Sequence, residues 1–149
     1  MQPSEDSRFR ELDSLPRAKS TPIGEIMVRD VTSVPPHATT SELVLLFLAR
    51  NVSGAPVLDA YRRPIGVVSK TDVLRALANG EEEQRAADVM TPVPLSLPEN
   101  ASIARASAVM AYEHVHRVLV VGPDGSLVGL VSTIDVLRWL AREVGYAVP

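Results

Sequence analysis

Apolar residues along this chain recur in two rhythms, and each rhythm occurs twice. Leu43, Leu46 and Phe47 follow helical spacing, with Thr39 and Glu42 standing before them as a capping box, so an amphipathic helix is predicted there. Ser102 caps a second such helix carrying Ala106, Val109 and Met110. After each helix come two short apolar runs of strand character, Ala55 to Leu58 with Ile65 to Val68, and Val118 to Val121 with Val128 to Val131. Their links, Asp59 to Pro64 and Gly122-Pro123-Asp124-Gly125, carry turn residues. A last helix is predicted from about Thr71, with Val73, Leu74 and Leu77, and again from about Ile134, with Val136, Leu137 and Leu140. Ahead of all this lies a short helical start, Ile23, Ile26 and Met27 or Val89 and Met90, and then an extended stretch at Ser33-Val34 or Ser96-Leu97 that Pro35 or Pro98 closes. The order is strand, helix, strand, strand, helix, twice.

A shift of 63 positions, Met90 minus Met27, lays Thr21–Asn79 over Gln84–Arg142 without a gap, with fifteen identities in 59 positions. Nine of the fifteen fall in one segment: Gly66, Val68, Ser69, Asp72, Val73, Leu74, Arg75, Leu77 and Ala78 match Gly129, Val131, Ser132, Asp135, Val136, Leu137, Arg138, Leu140 and Ala141. The chain therefore divides into a leader (1–20), a first repeat (21–80), a second repeat (81–145) and a short tail (146–149). Asn79 to Gln84 is the connector, and Gly80 is the helix stop. One βαββα unit of this size buries too little surface to stand comfortably alone. The expected fold is α/β (α+β), two such repeats packed pseudo-symmetrically through their sheets.

Composition narrows the function. At 149 residues, 46% hydrophobic, 4% aromatic and 22% charged, the chain can bury a core. A formal charge of -3 lacks the basic excess that phosphate-backbone binding requires, so nucleic acid is not the expected partner. The absence of cysteine excludes disulfides and thiolate chemistry, and no apolar run reaches the roughly 20 residues of a membrane helix. Glu5 and Asp6 make the N-terminus unlike a signal peptide, and a soluble, cytoplasmic protein is expected.

The repeated segment is Gly66-Val67-Val68-Ser69-Lys70-Thr71-Asp72 and its twin Gly129-Leu130-Val131-Ser132-Thr133-Ile134-Asp135. Each delivers a hydroxyl to the end of a buried strand and, three residues on, an aspartate to the start of a helix. A helix start attracts phosphate, a serine adds a donor, and an ionised aspartate, which only accepts, suits a pair of sugar hydroxyls. Serine and aspartate ahead of a helix are also ordinary caps. Their duplication at one offset, each time after glycine and an apolar strand, favours half a nucleotide site.

With Ile26-Met27 and Val89-Met90 ahead of the first strands and Val-Leu-Arg after each aspartate, these segments resemble a tandem pair of cystathionine-β-synthase (CBS) domains, a Bateman module, over about Thr21 to Arg142. The resemblance implies two α/β units joined through their sheets, two clefts between them, and an adenosine-containing regulatory ligand: AMP, ADP, ATP or S-adenosylmethionine. It implies that Asp72 and Asp135 hold ribose, that Ser69 and Ser132, with Lys70 and Thr133 beside them, meet phosphate, and that Ser33-Val34, Ser96-Leu97, Ala55-Pro56 and Val118 enclose adenine. His116-Arg117 is similar to the His-Arg pair that meets phosphate in nucleotide-sensing members of the family. Its counterpart here is Ser53-Gly54, so two unequal clefts are expected, one a candidate to stand empty.

Other residues add little chemistry. His114 and His116 point to different helix faces and with His37 make no converging metal set. No catalytic triad, P-loop, dinucleotide fingerprint or paired carboxylates stand outside the repeats, so an enzyme is not expected and no cofactor is required. Trp139, where the first repeat has Ala76, is either core or part of a homodimer surface. The expected function is a regulatory module sensing an adenine nucleotide; the alternative is a ligand-free dimerisation or protein-docking module acting on an effector protein.

Overall fold

Thr39 and Ser102 start the two long helices as expected. In the computed structural model, which describes residues 17–80 and 83–149, helix α2 spans Thr40–Arg50 and α5 spans Ile103–Tyr112. A four-residue helix α1 (Arg17–Ser20) and a 3-10 turn (Ile23–Glu25) precede them; most of the expected leader lies outside the described residues. Thr39 Oγ1 accepts from the Glu42 N–H at 3.2 Å, but the reciprocal bond from the Thr39 N–H to the Glu42 carboxylate does not form; beside it the Ser41 N–H donates to Glu83 at 3.3 Å. The Ser41 hydroxyl, and then that N–H, hold the Glu83 carboxyl below its ordinary value. Leu43 and Phe47 turn inward, and the helix ends at Asn51 in the left-handed region (φ 51°), a conformation asparagine tolerates.

Strands β1 (Gly54–Leu58) and β2 (Pro64–Ser69) pair antiparallel from Gly54 opposite Ser69, with a register shift at Val57/Leu58. Helix α3 (Lys70–Ala78) follows β2 directly, one residue earlier than the sequence pattern suggests, because Ser69 itself is the cap. A short α4 (Ala86–Val89) leads into β3 (Thr91–Pro92), which pairs with β2 and completes a sheet of order β1-β2-β3. The pattern gives no hint of this third strand. The expected extended stretch at Ser33-Val34 contributes a single parallel bridge, Val34 to Val57. Its repeat is a strand, β4 (Ser96–Pro98), in a second sheet of order β4-β5-β6 with β5 (Arg117–Val121) and β6 (Leu127–Ser132); helix α6 (Thr133–Glu143) ends the fold.

The compact units do not coincide with the sequence repeats. Among the described residues, one gathers Asp30–Ser96 with Val121–Val128, and the other 17–29 with Leu97–Val120 and Gly129–Pro149. Each repeat's opening segment thus joins the other repeat's sheet. In the first unit Met90 lies over Gly66, and in the second Met27 lies over Gly129. A Cβ on either glycine would come within 3.0 Å of the methionine thioether and of a backbone oxygen, Thr91 O or Val28 O. The repeated glycine and methionine are therefore one contact made twice. The first unit's core holds Val34, Leu43, Phe47, Ala55, Val57, Val68 and Val73. In the second unit Ile23, Ile103, Ala106, Val118, Val131 and Trp139 are buried. Trp139 is 7% exposed, so it is core and not surface.

Candidate functional site

Both Ser-x-x-Asp segments close into reciprocal capping boxes. In the first, the Ser69 N–H and Oγ donate to Asp72 Oδ2 at 2.7 and 2.9 Å, and Ser69 Oγ accepts from the Asp72 N–H at 3.2 Å. In the second, Ser132 and Asp135 repeat the pattern at 2.8, 2.8 and 3.3 Å. The box arises because a strand that ends on serine leaves the first turn of the next helix with unsatisfied N–H groups, and an aspartate at the third helical position answers the cap's own N–H.

This geometry changes what each residue is free to do. A serine hydroxyl has one proton, and both serines give it to their own aspartate, so neither donates to phosphate without breaking its box. The Lys70 N–H is taken by the Ser53 carbonyl at 3.0 Å and the Thr133 N–H by the His116 carbonyl at 2.9 Å. Among the described residues only the Thr71 and Ile134 N–H groups are left without an acceptor in those turns. What remains for a ligand is one carboxylate oxygen per box, and here the repeats differ. Arg75 Nη1 contacts Asp72 Oδ1 at 3.3 Å. Arg138, at the same offset, forms no ion pair with Asp135 among the described residues; both line a cavity of about 230 Å³ with Arg142, Glu25 and Ile26.

The other expected site residues divide. Val34, Ala55 and Pro56 come together beside the first box: the Val34 N–H donates to the Pro56 carbonyl at 3.0 Å, and Ala55 stands opposite Val68. Yet the side chains of Val34, Ala55, Leu97 and Val118 are packed in the cores, at 5% exposure or less, so an adenine would meet backbone there and not those side chains. Ser33 is half-buried, and Ser96 is exposed. His116, expected to face the site beside Asp135, lines a different cavity. That groove of about 620 Å³ runs between α5 and α6, with Ser107, Met110, His114, Thr133, Val136 and Leu140. Arg138 and Arg142 were not singled out from sequence. Arg138 sits at a repeated position and Arg142 opposite Asn79, and only the second was a visible difference. No group of three metal-ligating side chains is found among the described residues, and none of their helices is long and apolar enough to cross a membrane.

The family model for the CBS domain matches residues 23–79 and again 86–142. The chain belongs to the CBS-domain family. Its two CBS repeats resemble the CBS domain of a bacterial CNNM/CorC family Mg²⁺ transporter, solved in complex with ATP, at TM-score 0.78 and 24% identity over 93% of this chain and 98% of that one. They also resemble CBSX2 of Arabidopsis thaliana, solved in complex with AMP, at TM-score 0.72 and 24% identity over 82% and 97%. Among curated proteins, an uncharacterized protein of Methanocaldococcus jannaschii is 26% identical over 89% of this chain and 43% of its own length. The chain thus spans less than half of that relative. The α+β fold with two small sheets and the tandem CBS pair stand as read from sequence.

Proposed function

We propose that this CBS pair is a regulatory module, cytoplasmic and without catalytic activity of its own, that binds an adenine nucleotide at a capping box and passes the change to a separate effector protein. The observation that carries this is the duplicated box whose aspartate keeps one oxygen beyond the cap, at the end of a buried strand. An aspartate acceptor fixed by its own serine is a preorganised seat for ribose hydroxyls. Two solved structures of the same fold hold AMP and ATP, which supports the choice of ligand. A thermal-shift panel of AMP, ADP, ATP and S-adenosylmethionine tests it. A ligand at 100 times its dissociation constant adds about 2.7 kcal/mol and raises the melting temperature; no shift with any of them contradicts the reading.

A second reading has its own observation. Leu45, Leu48, Leu74 and Leu77 on α2 and α3 are each more than 60% exposed, and a groove of about 270 Å³ with Val44, Val73 and Ala76 runs between those helices. In the other unit Ile134 and Leu137 on α6, at 49% and 58%, and Tyr112 on α5, at 83%, are also exposed. We assign these faces to a homodimer. Such a face serves a sensor and a pure docking module equally, so the melting panel separates the two.

A further inference from the structure

We propose that the chain carries one nucleotide, on the second repeat, with its ribose on Asp135 and its phosphate on Arg138 and Arg142, and that Arg75 keeps the first repeat's box from serving. This rests on the reading of the boxes as nucleotide seats. The two boxes agree to within 0.1 Å in all three of their internal hydrogen bonds, so the cap itself does not distinguish them. Only the second oxygen does. Asp72 Oδ1 already has a guanidinium at 3.3 Å, and the Asp72 side chain is 12% exposed. Asp135 Oδ1 has no partner among the described residues.

The surroundings point the same way. Asp135, Arg138 and Arg142 stand at i, i+3 and i+7 on α6 and so share one face. All three line the cavity of about 230 Å³. Ligand pockets run to about 300–1,000 Å³, so this one fits a sugar and phosphate with the base projecting from it. Its lining sets the two guanidinium groups beside the carboxylates of Asp135 and Glu25. Guanidinium is the side-chain group best shaped for phosphate oxygens. The first repeat offers Arg75, committed to Asp72, and Asn79 in place of Arg142. Lys70 adds one exposed cation there but leaves the ribose oxygen covered. His116 takes no part in this arrangement, because it lines the groove between α5 and α6.

Titration calorimetry with AMP and with adenosine, which lacks the phosphate, decides the matter. The wild-type chain is expected to bind one AMP per chain and to prefer AMP over adenosine by at least about tenfold, the scale of a charge-assisted contact. Arg138→Ala combined with Arg142→Ala should abolish that preference while leaving adenosine affinity within about twofold. Asp72→Asn should leave AMP binding unchanged, Asp135→Asn should weaken it, and Arg75→Ala, at a 64% exposed side chain that the fold does not need, should raise the occupancy above one. Two AMP per wild-type chain, a phosphate preference that survives both arginine substitutions, or loss on Asp72→Asn overturns the proposal while nucleotide binding stands. No heat from wild-type protein with AMP or adenosine overturns the proposal, and a melting panel silent with ADP, ATP and S-adenosylmethionine as well overturns the reading beneath it.

Discussion

Gly129 and Met27 stand about a hundred positions apart in sequence and touch in the structure, and that contact fixes what glycine is for. Gly129→Ala places a methyl against the Met27 thioether and the Val28 carbonyl oxygen. The thioether can swing aside, but the backbone oxygen cannot. Overpacking of this kind costs about 1–3 kcal/mol, and chemical denaturation should show a lower midpoint at unchanged slope. Val93 makes the opposite case. It is 88% exposed and sits at φ 52°, a left-handed conformation that a β-branched residue adopts at a cost of about 1–2 kcal/mol. Val93→Asn should therefore raise stability by about 1 kcal/mol in the same measurement. Neither position was legible beforehand: the sequence displays a repeated glycine and methionine without their contact, and a valine between two prolines without its torsion angle. The boxes were legible, because serine and aspartate three apart act within one turn. The state of the second oxygen was not, since Arg75 and Arg138 occupy equivalent positions and differ only in where their side chains go.

At the scale of elements, each box starts the helix that follows it. Ser132→Ala removes the acceptor for the Asp135 N–H and one donor to its carboxylate, and should lower stability by about 1 kcal/mol, read from the melting temperature. The turn between β5 and β6 answers to pH. Hydrogen bonds from the Ser126 hydroxyl and N–H hold the Asp124 carboxyl below its ordinary value of 3.8. A carboxyl lowered in the folded state supports the fold fully above its ordinary value, and that support is lost as pH falls through the lowered one. Asp124→Asn should accordingly flatten the acid limb of a plot of melting temperature against pH. Helices, hairpins and caps followed from local periodicity and turn chemistry. The third strand of the first sheet did not, because Thr91-Pro92 has neither alternation nor length to announce it.

For the whole molecule the compact units cut across the sequence repeats. The repeats exchange their opening segments, the one with Met27 packing on Gly129 and the one with Met90 on Gly66. Separate expression of residues 21–80 would strip Gly66 of Met90 and should yield a poorly folded product. The homodimer is argued at this scale too. Trp139 is interior, so the exposed leucines of α2 and α3 carry the expectation, and Leu48→Glu with Leu77→Glu should convert a dimer to a monomer in sedimentation velocity while lowering the stability of the fold by no more than about 1 kcal/mol. A wild-type chain that sediments as a monomer at every concentration removes the dimer.

The central claim is that a capping aspartate doubles as a ribose seat, and amide NMR during an AMP titration addresses it at single-residue resolution. The account predicts progressive, saturable shifts concentrated at Ser132, Thr133, Ile134 and Asp135 with Arg138, and their loss in Asp135→Asn protein that keeps the remainder of its spectrum. A spectrum that AMP leaves unchanged, or shifts that survive Asp135→Asn, would contradict it.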